Sequence, residues 1–137
     1  MLPPPRAVLQ TQRAKLLPVL EKTKDTYKLW TEYHLILPRI HRYSLGTKID
    51  NLFIDLIESL AVATFLSKEE KLPYLRISIR KLDTLNILIL ILFETKSIDT
   101  KKYISISEQT NEIGKMLGGW YGQLTKQNSP TTKVGEK

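Results

Sequence analysis

The chain has 137 residues, enough for one domain around one core. Hydrophobic residues make up 42% and charged residues 26%, and the absence of cysteine excludes disulfides, thiolate metal sites and cysteine nucleophiles, a pattern compatible with a cytoplasmic location. A net charge of +7 and a pI near 9.6 point to nucleic acid or another acidic surface as partner.

Residues 1–16 read as a basic, proline-rich arm, with Pro3-Pro4-Pro5 favouring extended polyproline and Arg6, Arg13 and Lys15 supplying charge. Its opening Met1-Leu2 is too short an apolar stretch for a signal peptide. A first helix opens near Leu17-Pro18, since proline is tolerated in a first turn. Leu20, Thr23, Tyr27, Trp30, His34 and Leu37 recur at three and four residue steps, the seam of a bundle helix. Pro38 ends that helix at or just before Leu37. His34 on this seam reads as a satisfied, half-buried histidine in preference to a catalytic or metal-bound one.

The connection Pro38-Arg39-Ile40-His41-Arg42-Tyr43-Ser44-Leu45-Gly46 carries two arginines, a histidine and a tyrosine. Arginine forks grip phosphate and tyrosine stacks on bases, so Arg39, His41, Arg42 and the following Lys48 are candidate nucleic-acid or partner-binding residues; a loop whose charges face water is the alternative. Ser44, or Thr47 with Asp50 three residues later, is the candidate cap of a second helix running from about Gly46 to Leu66. Its stripe is Ile49, Leu52, Phe53, Leu56, Ile57, Leu60 and Thr64.

Ser67 and Glu70 have the form of a capping box, but Pro73 fits best in a first turn. The third helix therefore starts either at Lys68 or afresh at Pro73, and runs to about Lys96. Its seam reads Leu75, Ile79, Leu82, Asn86, Ile89 and Phe93, with Asn86 as a polar register-setting residue. The run Ile87–Phe93 has strand propensity, but a lone strand has no partner here, so it reads as a buried helical segment. It is far short of the roughly 20 apolar residues that span a bilayer. Arg76, Arg80 and Lys81 on this helix join the candidate binding residues.

A fourth helix begins near Asp99-Thr100, with Tyr103, Ile106, Thr110, Ile113, Leu117, Trp120 and Leu124 in strict three-four alternation. Gly114 and Gly118 lie four apart beside that seam, followed by Gly119 and Trp120. A bare stripe next to a large aromatic reads either as an oligomer or helix packing surface, or as relief of crowding in a tight bundle. From residue 127 the tail is polar and aperiodic and is expected to be disordered. Four helices with short connections over 17–126 give an all-α, up-down-up-down antiparallel four-helix bundle.

No constellation supports catalysis. His34 and His41 are seven apart across a proline, which is not a helical metal pair, and the Glu-x-x-His pattern of di-iron bundles is absent. Neither a cofactor nor a nucleophile–base pair is indicated, and a binding protein is expected, not an enzyme. The basic residues predict phosphate-driven, salt-sensitive and sequence-tolerant binding.

Three stretches carry a family resemblance: Pro38-Arg39-x-His41-Arg42-Tyr43-Ser44-Leu45-Gly46, Lys71-Leu72-Pro73-Tyr74-Leu75, and Glu112-Ile113-Gly114-Lys115-Met116-Leu117-Gly118-Gly119-Trp120. Together they resemble the Avd family, the accessory variability proteins of diversity-generating retroelements, related to four-helix proteins encoded in intervening sequences of large-subunit ribosomal RNA genes. The resemblance covers about Leu17 to Lys126. It implies a non-catalytic four-helix bundle that assembles into a basic homopentameric barrel. Such a barrel binds RNA or DNA and the reverse transcriptase of the element, supporting mutagenic cDNA synthesis, with no membrane involvement. The alternatives are a protein of the ribosomal intervening-sequence type, and a structural oligomer that binds an acidic protein partner.

Overall fold

The computed structural model describes residues 17–127; the arm at 1–16 and all but the first residue of the expected tail lie outside the described residues. The chain is all-α, with helices α1 (Leu17–Leu35), α2 (Arg39–Arg42), α3 (Leu45–Thr64), α4 (Lys68–Glu94) and α5 (Thr100–Gln127), and no strand among the described residues. Four of these are the long helices that the periodicity predicts. The addition is α2, a single turn within the connection after Pro38, whose carbonyl accepts from the His41 and Arg42 amides.

The helix ends follow from local chemistry. The capping box at α4 is formed: the Glu70 amide donates to Ser67 Oγ at 3.4 Å, and the Ser67 amide donates to Glu70 Oε1 at 3.3 Å. This cap carries the helix through Pro73, so the later start at Pro73 is not adopted; the missing proline N–H leaves one carbonyl four residues back without its helical donor. Asp99 caps α5, its Oδ1 accepting from the Lys102 amide at 2.8 Å, and this bond holds the Asp99 carboxyl below its usual pKa. At α3 the expected caps fail. Ser44 Oγ donates to the Ile40 carbonyl and Thr47 Oγ1 to the Arg42 carbonyl, so both hydroxyls serve the preceding turn. α4 ends with Lys96 at φ 65°, its amide donating to Phe93 and the Ser97 amide to Leu92, a left-handed closure usually given to glycine.

Contacts between long helices form a closed cycle: α1 with α3, α3 with α4, α4 with α5, and α5 with α1. Two apolar clusters fill it. One joins Val19 of α1, Leu56, Leu60 and Ala63 of α3, Leu75 and Leu82 of α4, and Ile113, Leu117 and Leu124 of α5. The other joins Trp30 and Leu37, Ile49, Leu52 and Phe53, Leu85, Ile89 and Leu92, and Ile98 and Ile106. On the α1 and α5 faces, buried threonines interrupt the apolar lines. The Thr26 hydroxyl donates to the Lys22 carbonyl at 2.7 Å and lies 3.0 Å from the Gln109 side-chain amide, which donates back when its NH2 faces the threonine.

The phase of α4 differs from the sequence expectation. Its buried line is Leu75, Ser78, Leu82, Leu85, Ile89 and Leu92, and Asn86 stands half-buried beside it. Rotating Leu85 inward in place of Asn86 buries methyls and spares an amide its desolvation. The run Ile87–Phe93 is helical, but it is not buried throughout: Ile89 and Leu92 face the core while Ile87 is 58% exposed. No helix among the described residues is long and apolar enough to cross a membrane.

Candidate nucleic-acid interface

The first group of candidate residues sits on the corner between α1 and α3, and the structure divides its members between two roles. Arg42 is half-buried and points inward. Its Nε and Nη2 both donate to the Leu37 carbonyl, at 3.1 and 2.9 Å, closing the frayed end of α1 with a two-pronged, charge-assisted cap. The Arg42 carbonyl accepts from His34 Nε2 at 2.9 Å, which fixes the His34 tautomer. His34 stacks on buried Trp30 at 5.2 Å between ring centroids, and its Nδ1 faces Asp50 at 3.9 Å. Asp50 also accepts from the Tyr27 hydroxyl; burial first, and then this bond, raise the Tyr27 pKa.

Gly46 completes the corner. A Cβ there would fall 2.7 Å from His34 Cδ2 and 3.0 Å from Leu37 Cδ1, so only glycine lets α3 start this close to α1. His41 is tied down as well, its Nδ1 lying 2.5 Å from Ser97 Oγ in the α4–α5 connection. What remains outside is Arg39, Lys48 and Tyr43, all exposed.

The second group lies on α4 and α5, against the other apolar cluster. Arg76 and Arg80 are one turn apart and exposed. Arg76 Nε donates to the Tyr121 hydroxyl at 3.4 Å, and this bond, with the positive field of Arg76 and Arg80, lowers the Tyr121 pKa. Lys81 points to the other side of α4, where it pairs with Asp55 of α3 at 3.3 Å. The seven candidate binding residues therefore do not share one surface: Arg39 and Lys48 are exposed at the corner, Arg76 and Arg80 on α4, and Lys81 lies on the side of α4 that meets α3.

The arginines and lysines differ in their partners. Lys24, Lys81 and Lys102 form ion pairs with Glu21, Asp55 and Asp99. None of the arginines among the described residues, Arg39, Arg42, Arg76 and Arg80, lies within ion-pair distance of a carboxylate.

The glycine stretch resolves into separate environments. Gly114 faces α4, where a Cβ would meet Leu82 Cδ2 at an ordinary 3.5 Å. Gly118, Gly119 and Gly122 have nothing within 4 Å of a Cβ position. Relief of crowding inside the fold therefore does not account for them. Trp120 is half-buried against the Val19–Leu124 cluster, and it borders a cleft of about 440 Å³ with Pro18, Val19, Met116 and Gly119. Lys71 is buried, with Nζ 5.4 Å from the Trp120 ring centroid. Sequence reasoning missed Lys71 and Gly46; a glycine in the first turn of a helix was the available signal for the second.

Among the described residues no group of three or more His, Asp or Glu side chains is placed to hold a metal ion. No family model, curated protein or solved structure matches the chain significantly.

Proposed function

We propose that the chain is a non-catalytic accessory subunit of a diversity-generating retroelement, a basic oligomer that binds nucleic acid and the element's reverse transcriptase during mutagenic cDNA synthesis. The observation that carries nucleic-acid binding is the exposed Arg76–Arg80 pair beside Tyr121, with no carboxylate to neutralise either guanidinium. Unpaired arginine forks on a chain of net charge +7 are matched to phosphate oxygens. The retroelement, the polymerase partner and the pentameric state rest on the resemblance carried by the three sequence stretches.

An up-down-up-down antiparallel bundle is the arrangement that the short connections and the closed cycle of helix contacts support. Oligomerisation has a candidate face in the open glycine edge of α5, where a neighbouring backbone meets no side chain at Gly118 and Gly122. The same exposed arginines fit an acidic protein, which is the second reading.

Fluorescence anisotropy against RNA and DNA across a salt series tests the proposal. The affinity falls linearly with salt on logarithmic axes, and Arg76→Glu with Arg80→Glu weakens binding to all sequences alike. Absence of binding at low salt, or an affinity unchanged by the double reversal, overturns it. Light scattering gives the assembled mass, and Gly118→Leu lowers it without unfolding the protomer. Co-purification with a reverse transcriptase encoded nearby decides between the retroelement and the ribosomal intervening-sequence type.

A further inference from the structure

The α1–α3 corner carries a second feature that packing does not explain. Tyr43 is 73% exposed and Ile40, three residues before it on the same turn, is 78% exposed. Leu35 and Ile36, at the end of α1, are exposed as well. The Arg42 guanidinium lies over the Tyr43 ring, 6.0 Å from its centroid, while two of its donors go to the Leu37 carbonyl. Tyr43 is thus held on one side by a fixed cation and open on the other. Arg39, four residues earlier, and Lys48, in the first turn of α3, are both exposed. Between Glu32 and Asp50 the chain has no acidic residue. Asp50 itself is engaged by Tyr27 and faces His34.

We infer that this corner is a site for unpaired nucleotides, in which Tyr43 stacks on a base and Arg39 and Lys48 take the flanking phosphates. The inference rests on the nucleic-acid reading above and assigns single-strand preference to one place in it. The choice of occupant follows from charge and shape together. An apolar surface alone suits any partner, but one that carries exposed Arg39 and Lys48 on a segment without an acidic residue suits an anionic partner with flat apolar faces. Bases in a duplex are stacked on each other and present only their edges, so an exposed tyrosine gains little there. An unpaired base offers its whole face, and each such stack is strong enough to measure.

The test uses the full chain and fluorescein-labelled oligonucleotides of about 12 nucleotides, single-stranded RNA, single-stranded DNA and the corresponding duplexes. Tyr43→Ala weakens binding to both single strands about tenfold and leaves duplex binding nearly unchanged, while Tyr43→Phe retains the wild-type values. Arg39→Ala weakens single-strand binding and flattens its salt dependence. An equal loss on single strands and duplexes overturns the stacking assignment, as does no loss at all. A fall in assembled mass for Tyr43→Ala by light scattering also overturns it, because the corner is then a contact between copies. Wild-type protein that binds no oligonucleotide removes the proposed function itself, a separate failure from wild-type binding that Tyr43→Ala does not alter. Circular dichroism verifies that the variant keeps its fold.

Discussion

Gly46 and Gly118 are the same residue in opposite situations. Gly46 is buried at a corner where His34, Leu37 and Arg42 converge, and a single methyl there would overlap the imidazole. Gly118 lies on an outer edge of α5 with nothing within 4 Å. The first is required by packing that exists within the chain, whereas the second weakens a helix to no benefit inside the protomer. A glycine that costs helix stability and serves no contact among the described residues is the kind of position the proposed contact between copies would use.

The sharpest way to break this contrast is at the Arg42 clamp. Arg42→Met removes two charge-assisted hydrogen bonds and leaves the Leu37 carbonyl uncapped, and it lowers stability by about 2–3 kcal/mol in urea denaturation. Arg39→Met, whose side chain is exposed, stays within about 0.5 kcal/mol of the parent. Next in size is Gly46→Ala. The added methyl displaces a ring held by Trp30 and the Arg42 carbonyl, and it costs about 1–3 kcal/mol by the same measurement.

Gly118→Ala reverses the sign. With open space around the new methyl, helix propensity raises protomer stability by about 0.5–1 kcal/mol. If the assembled mass falls in the same variant, the edge is covered in the oligomer; if mass and stability both rise or hold, it is not. The smallest effect concerns Asp99. Its pKa is lowered on folding, so its cap stabilises fully at pH above the ordinary carboxylate value and is lost as pH falls through the folded-state value. The acid limb of a thermal melting series is accordingly shallower in Asp99→Asn than in the parent.

Much of the fold was legible because the helices are long and their seams regular. Ile113, Leu117 and Leu124 are buried where three-four spacing places them, and Ser67 with Glu70 forms the box that its spacing announces. The phase of α4 was not legible, because Leu85, Asn86, Leu88 and Ile89 allow two seams one residue apart and only the neighbours α3 and α5 choose between them. The corner was hidden for a related reason. In sequence, Arg39 and Arg42 look alike; a backbone carbonyl five residues back, reachable only once Pro38 has turned the chain, turns Arg42 inward. His34 takes the satisfied, half-buried place expected of it, but its partner is a main-chain oxygen that no side-chain pattern encodes.

The threonines between α1 and α5 have a consequence for how the molecule comes together and apart. The Thr26–Gln109 contact joins residues 83 positions apart, so this seam closes a far longer loop than any pairing of successive helices. A seam with that loop entropy forms late in folding, and beside its apolar contacts it carries the buried threonines Thr23, Thr26 and Thr110. The first turns of α1 hold the core through Val19 and Leu20, while Trp30 and the Arg42 clamp hold the far half. Peeling of those turns would widen the cleft beside Trp120, which Pro18 and Val19 line, without touching the corner at the other end of the helix.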